Sequence, residues 1–298
     1  GVRAKLDRNI KFIEKQSKTV TVQIRGLLGG HSGGEIDQER GNASKIAGII
    51  LRRAYDIFDF NLVTLQGGLK MNAITREHDF TIAIDDVESF KEWFVDIEKE
   101  FKIQYEFSDA GLNFILEEGT TNKVLTNEDT EAIINTLFML PYGVIQKSKA
   151  IKDLVITSSN IGTVDIIDDK IEITVSIRAT QEFVIENVMR QVQMIAEQSG
   201  YSIEFSSRYP GWNYDAQSKF RERTMEVYKN LRGTDMDTVA THGGLELGIW
   251  KGKLPNLDIV SFGPIMFDIH TPDERLDIAS FDRTYEFMVE LLASLNNY

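Results

Sequence analysis

One order of elements, met twice along the chain, constrains the fold more than any other feature. An alternating apolar strand around residues 19–27 (Val20, Val22, Ile24) precedes a helix over about 42–57, whose stripe is Ala43, Ile46, Ile50, Ala54 and Ile57. Strands around 60–70 and 79–85 follow, the second alternating through Phe80, Ile82 and Ile84. A helix bearing Phe90, Trp93, Phe94, Ile97 and Phe101 leads to a strand from Ile103 to Phe107. The order then returns. Leu112 to Leu116 reads as a strand, and Thr126 to Leu140 as a helix stopped by Pro141. Strands around 154–166 and 171–178 flank a turn at Asp168-Asp169. A helix with Val184, Val188, Val192 and Ile195 ends at Gly200, and the strand Tyr201, Ile203, Phe205 closes the second pass.

Each pass is β-α-β-β-α-β, the split β-α-β or ferredoxin-like order, which makes one antiparallel sheet with helices on one face. Two such units are expected, over about 19–108 and 109–207. After Arg208 the texture changes. Tyr209-Pro210-Gly211-Trp212 reads as a connector, followed by a helix over about 217–232, an extended piece at 236–241 and a Gly-led helix at 243–251. Leu257 to Phe262 is a continuous apolar strand, as in a sheet covered on both faces. The last helix is expected to pack Phe281, Tyr285, Met288, Leu292 and Leu295 inward. This tail of about ninety residues has too few strands for a sheet of its own, so it needs a partner segment.

The formal charge of −13 argues against nucleic acid and against an anionic membrane surface, both of which reward basic patches. An RNA-binding reading of the split β-α-β units fails on that charge and on the missing aromatic and basic signature. There are no cysteines, which rules out disulfides and thiolate metal sites and fits a reducing, cytoplasmic setting. No apolar run reaches the roughly 18 residues of a membrane-spanning helix. The start, Gly1-Val2-Arg3-Ala4, has no initiator methionine and suggests a processed or truncated chain.

Chemistry concentrates in loops. Gly29-Gly30-His31-Ser32-Gly33-Gly34-Glu35 places one imidazole in a glycine loop directly after a strand. Glycines allow such a loop to bring the ring close to a ligand. The loop lacks the Gly-Lys-Ser/Thr end of a phosphate-binding loop. His270 sits before Thr271-Pro272, and on its own reads as a surface residue. Arg178 ends an alternating strand and needs an anion, either a substrate carboxylate or a structural acid. Asn72 follows Gly67-Gly68 and reads as a peptide contact or a plain turn residue. Gly244 and Glu246 stand at a helix start that would face a substrate amino group or solvent. His78 reads as part of a hairpin turn, and His242 as structural.

Five segments occur in a telling order: Gly29 to Glu35, Gly67 to Glu77, Ser176-Ile177-Arg178, His242 to Glu246, and His270 to Glu274. Together the chain resembles the co-catalytic zinc metallopeptidases that include carnosinases, most closely the bacterial aminoacyl-histidine (Xaa-His) dipeptidases. The resemblance implies a lid of two ferredoxin-like units followed by the C-terminal part of an α/β catalytic domain. It implies two zinc ions, with manganese or cobalt as alternatives, and a dipeptide substrate. It assigns His270 to the metal and His31 to oxyanion stabilisation, and it assigns Asn72, Arg178, Gly244 and Glu246 to substrate. The family's remaining metal ligands and its general-base glutamate have no counterpart in this sequence. The expected division is therefore 1–18 as a remnant leading out of a missing catalytic segment, 19–207 as lid, and 208–298 as C-terminal catalytic part. The chain alone is expected to be inactive. Two rivals stay open: a metal-dependent deacylase or aminopeptidase of the same fold, and a non-catalytic lid acting as a dimerisation module, with a homodimer as partner.

Overall fold

Nine strands within residues 1–211 sit in one antiparallel sheet, and two short ones pair apart from it. The computed structural model describes residues 1–149, 151, 154–211, 215–239, 246–267 and 274–297. In chain order the first 125 residues give β1 (Val2–Asn9), β2 (Phe12–Arg25), β3 (Gly30–His31), α1 (Ala43–Tyr55), β4 (Phe60–Gly67), β5 (Ala73–Ile74), β6 (His78–Ile84), α2 (Val87–Gln104) and β7 (Asn113–Leu125). There follow α3 (Asn127–Met139), β8 (Gly143–Lys147), β9 (Val155–Ile167), β10 (Lys170–Ala179), α4 (Glu182–Gln198) and β11 (Ser202–Ser206). The tail holds α5 (Lys219–Arg232), α6 (Glu246–Lys253), β12 (Met266–Phe267), β13 (Arg275–Leu276) and α7 (Ile278–Ser294). Two compact units result, one of residues 1–211 and one drawn from 215–239 and 246–297.

The sheet order is β11-β1-β10-β9-β4-β6-β2-β7, with β8 added beside β9. It divides into two four-stranded halves, each in the ferredoxin-like order. In one, β2, β4, β6 and β7 carry α1 and α2; in the other, β1, β9, β10 and β11 carry α3 and α4. The halves meet where β4 pairs with β9, Gln66 opposite Asp165 and Gly67 opposite Val164. Inward residues on the helix side, such as Val22, Ile24, Phe80, Ile82, Ile173, Val175 and Ile177, are fully buried in one continuous core. The first half is therefore inserted between the first strand and first helix of the second.

Two boundary readings change accordingly. Ile103 to Phe107 is no strand: helical bonding runs on to Tyr105, whose N–H donates to the Phe101 carbonyl, and Ile103 and Phe107 stay exposed. The closing strand of the first half is β7, so Leu112–Leu116 belongs to the first half and does not open the second. Its register runs the whole length of β2, from Phe12 opposite Leu125 to Arg25 opposite Asn113. Residues 2–9 belong to the sheet itself, since β1 lies between β10 and β11 and pairs with both. Buried Val2, Ala4 and Leu6 supply its inward face. Strand β8 had no clear signature in the sequence.

Helices α1 and α3, the equivalent helices of the two halves, pack on each other through Gly48. A Cβ there would lie 2.8 Å from the Leu137 Cβ and 2.9 Å from its carbonyl carbon. Alanine normally gains about 1 kcal/mol over glycine inside a helix. Here overpacking against backbone reverses the sign, and Gly48→Ala is expected to lower stability by about 1–3 kcal/mol in urea unfolding. A stabilised variant would refute the close approach.

In the second unit, α5 and α6 fall where periodicity placed helices. Leu257–Phe262 forms no strand, and no described strand pairs with it. An apolar run becomes a strand only beside a partner strand, and β12 and β13 pair only with each other. Helix α7 also differs from expectation. Phe287 and Leu291 are buried, whereas Phe281, Tyr285, Met288 and Leu292 are 51%, 60%, 41% and 60% exposed. The helix is apolar on two faces, and only one of them is covered within the unit.

A candidate site at the junction of the sheet halves

After β2 the chain leaves the sheet, and the glycine loop is tied down bond by bond. Gly30 has φ of +134°, a conformation that glycine adopts without strain. A Cβ there would also meet the Glu35 carboxylate and Arg40 guanidinium at 2.8 Å. Those two groups form the brace. Glu35 Oε2 accepts from the His31 N–H at 2.8 Å, and Glu35 Oε1 accepts from Arg40 Nη1 at 3.0 Å. Arg40 Nη1 also donates to the Gly29 carbonyl at 2.7 Å. Below, Ile36, Ile74 and Val155 form a small buried cluster with Tyr142 and Val144 against it.

The loop backbone decides the state of the His31 ring. The backbone N–H groups of Gly33 and Gly34 donate to its Nδ1 at 3.2 and 2.9 Å. A ring nitrogen that accepts two hydrogen bonds carries no proton, so the neutral imidazole holds its hydrogen on Nε2. His31 therefore presents an Nε2–H donor.

Asn72 lies next door. His31 pairs with Ala73 across β3 and β5, and the Ser32 N–H donates to the Asn72 carbonyl at 2.9 Å. The Asn72 residue is exposed at the turn, so its side chain faces solvent beside the histidine loop.

Arg178 arrives from the other half of the sheet. A Cβ on Gly33 would lie 2.9 Å from the Arg178 Cζ, so the guanidinium rests against the loop backbone where glycine leaves room. Its Nη1 donates to the Tyr209 hydroxyl at 2.7 Å, while its buried Nε finds no partner. No carboxylate pairs with it among the described residues. A neutral phenol leaves the positive charge uncompensated, which suits a planar anion.

His31, Asn72 and Arg178 are thus brought together, although about a hundred residues separate the last two. Glu246 begins α6 in the second unit and is exposed. Gly244, His242 and His270 lie outside the described residues. Tyr209, Glu35 and Arg40 escaped the sequence reading. The Glu35–Arg40 spacing next to the glycine loop was the only signal for the brace. His78 is not in a hairpin turn: it opens β6, is fully buried, and meets the Ser44 hydroxyl through Nδ1 at 3.0 Å.

Among the described residues, no cluster of three or more His, Cys, Asp or Glu could hold a metal ion. None of the described helices is long and apolar enough to cross a membrane.

The model of peptidase family M20/M25/M40 matches residues 14–294. The cytosol non-specific dipeptidase of Escherichia coli (strain K12) is 32% identical over 281 residues, which cover 93% of this chain and 58% of that protein. The crystal structure of aminoacylhistidine dipeptidase from Vibrio alginolyticus superposes with a TM-score of 0.91 at 31% identity, covering 98% of this chain and 61% of that one. A Bacillus subtilis protein described as a dinuclear metal binding peptidase from the M20 family is 14% identical, with a TM-score of 0.29, over 98% of this chain and 53% of its own. The chain spans about three-fifths of the length of the first two.

Proposed function

The chain belongs to peptidase family M20/M25/M40, and from that membership we propose that it is the substrate-clamping part of a metal-dependent dipeptidase acting on Xaa-His dipeptides. The observation that carries the reading is the juxtaposition at the sheet junction: an Nε2–H donor at His31 beside an Arg178 guanidinium without a carboxylate partner among the described residues. The Arg178 fork suits the C-terminal carboxylate of a short peptide, held in two-point fashion. With the peptide so anchored, His31 Nε2–H would donate to the scissile carbonyl oxygen as negative charge develops on it. Asn72, exposed at the same corner, would hydrogen-bond the peptide backbone. Gly244 and Glu246 are proposed to receive the substrate's amino end.

The family implies a metal, and zinc is our choice, with manganese or cobalt as substitutes. The described residues do not form a ligand set, so no step is derived through the ion. His270 is the proposed ligand within this chain, alongside ligands from beyond it. The uncovered face of α7 and the unpaired Leu257–Phe262 segment support further polypeptide packing on the second unit. A cytoplasmic location is part of the proposal, supported by the name of the Escherichia coli relative, a cytosol dipeptidase.

The test is hydrolysis of Ala-His with added zinc or manganese, by this chain and by the full-length protein, with acylated amino acids as competitors. Turnover of Ala-His only by the full-length form is the expected result. Turnover by this chain would remove the need for outside ligands, and a preference for acylated amino acids would favour a deacylase. The dimerisation-module alternative rests on the outer strands β7 and β11, and sedimentation of the 298-residue chain tests it.

A further inference from the structure

Strand β9 carries a polar run, Thr157-Ser158-Ser159-Asn160, in which every residue is 1% exposed or less. Buried polar side chains are ordinarily hydrogen-bonded; the Thr157 and Ser159 hydroxyls have no partner among the described residues, whereas Asn160 does. Asn160 spends its whole amide on the other half of the sheet. Its Nδ2 donates to the Ala73 carbonyl at 2.9 Å and lies 3.5 Å from the Met71 carbonyl, on either side of Asn72. Its Oδ1 accepts from Asn42 Nδ2 at 3.2 Å. Asn42 Nδ2 also donates to the Ile161 carbonyl at 2.8 Å, and Asn42 Oδ1 caps α1 by accepting from the Lys45 N–H at 3.0 Å. Close by, Gly162 has no side chain to keep Met71 away: a Cβ there would lie 2.5 Å from the Met71 Cα.

The placement matters because of what lies one residue away in each direction. Ala73 is the strand partner of His31, and the Asn72 carbonyl takes the Ser32 N–H. On β9 itself, Ser158 stands opposite Arg178 and Asn160 opposite Ser176. The Asn160 amide thus ties the His31–Asn72 corner to the strand beside Arg178, next to the Thr75 hydroxyl, which donates to the Ile161 and Gly162 carbonyls at 2.9 and 3.0 Å.

We propose that Asn160 is a positioning residue: it holds residues 71–73, and through them His31 and Asn72, in register with Arg178 across the sheet junction. The proposal rests on the dipeptidase reading for its consequence in catalysis, though not for its geometry. Misplacing a catalytic donor by about 1 Å can lower a rate a hundredfold.

The test pairs two near-isosteric variants of the full chain. Asn160→Asp keeps the acceptor that meets Asn42 and replaces the donor aimed at Ala73. Asn42→Asp keeps the α1 cap, where aspartate serves as well as asparagine, and removes the donor to Asn160. Amide hydrogen exchange at Ser32 and Ala73 is expected to speed up about tenfold or more in Asn160→Asp and to stay within about twofold in Asn42→Asp. Equal acceleration in both, or none in Asn160→Asp, would overturn the proposal, since a general loss of stability treats the two alike. If Asn160→Asp does not fold, Asn160→Ser, neutral and too short to span from Asn42 to Ala73, replaces it in the same comparison. In the full-length enzyme, kcat for Ala-His should fall about 10- to 100-fold in the Asn160 variant with a smaller change in KM. Faster exchange with an unchanged kcat would leave the positioning role standing and overturn the catalytic reading of His31.

Discussion

Replacing His31 with alanine is expected to lower kcat for Ala-His by about 100- to 1000-fold in the full-length enzyme, with KM altered much less. That magnitude is typical for loss of one preorganised donor to a developing oxyanion. The argument depends on the proton's position. Gly33 and Gly34 point their N–H groups at Nδ1, so the loop itself holds the neutral ring with hydrogen on Nε2. Alanine would also release those two amides and loosen the loop. His31→Asn separates the two effects, because an asparagine oxygen can accept from backbone N–H groups two and three residues on. It cannot reach as far as the imidazole Nε2. Both variants should therefore lose kcat together, while only alanine should speed amide exchange at Gly33 and Gly34. A His31→Asn enzyme with wild-type kcat would end the oxyanion role.

His78 is expected to make the fold acid-sensitive. Burial pushes its imidazole from the ordinary 6.5 down to about 3, with Arg25 adding to the effect and Asp79 opposing it. The folded protein keeps the ring neutral, whereas the unfolded chain protonates it below about 6.5. Between pH 6.5 and about 3 the unfolded state therefore binds more protons, and stability rises with pH across that window. The contribution is intact above 6.5 and is lost as pH falls towards 3, at roughly 1.4 kcal/mol per pH unit and about 5 kcal/mol in all. His78→Asn keeps a partner for the Ser44 hydroxyl and cannot titrate. It should be less stable than wild type at pH 7, because the ring's volume is lost, and should narrow that gap steadily from pH 6.5 to 4. Urea midpoints at three pH values measure this. A constant gap would show that His78 does not titrate as a buried ring.

Much of the first unit was legible along the chain. The helices α1, α2, α3 and α4 follow from stripes such as Ile46, Ile50 and Ala54, and the pairs β4/β6 and β9/β10 follow from alternation. His31, Asn72 and Arg178 stood out because glycines or a strand end isolate each of them. What could not be read was which strand pairs with which. β7 closes the first half and β1 takes the opening place in the second that sequence order assigned to β7, because a strand's apolar alternation specifies its buried face and leaves its neighbour open. The α7 stripe misled for a related reason. Periodicity reveals an apolar face without saying whether the polypeptide that covers it is near at hand, and the covered residues were Phe287 and Leu291.

The sequence by itself determined most helices and the hairpin strands of the first unit, the repeated split β-α-β order and the loop chemistry, since these depend on local spacing, glycine freedom and charge. Only the tertiary structure decided that the first half is inserted into the second and that β4 meets β9. It alone set Arg178 on the bare backbone of Gly33 and left the His31 proton on Nε2. Those outcomes depend on hydrogen bonds and contacts between residues far apart in the chain, which no local pattern encodes.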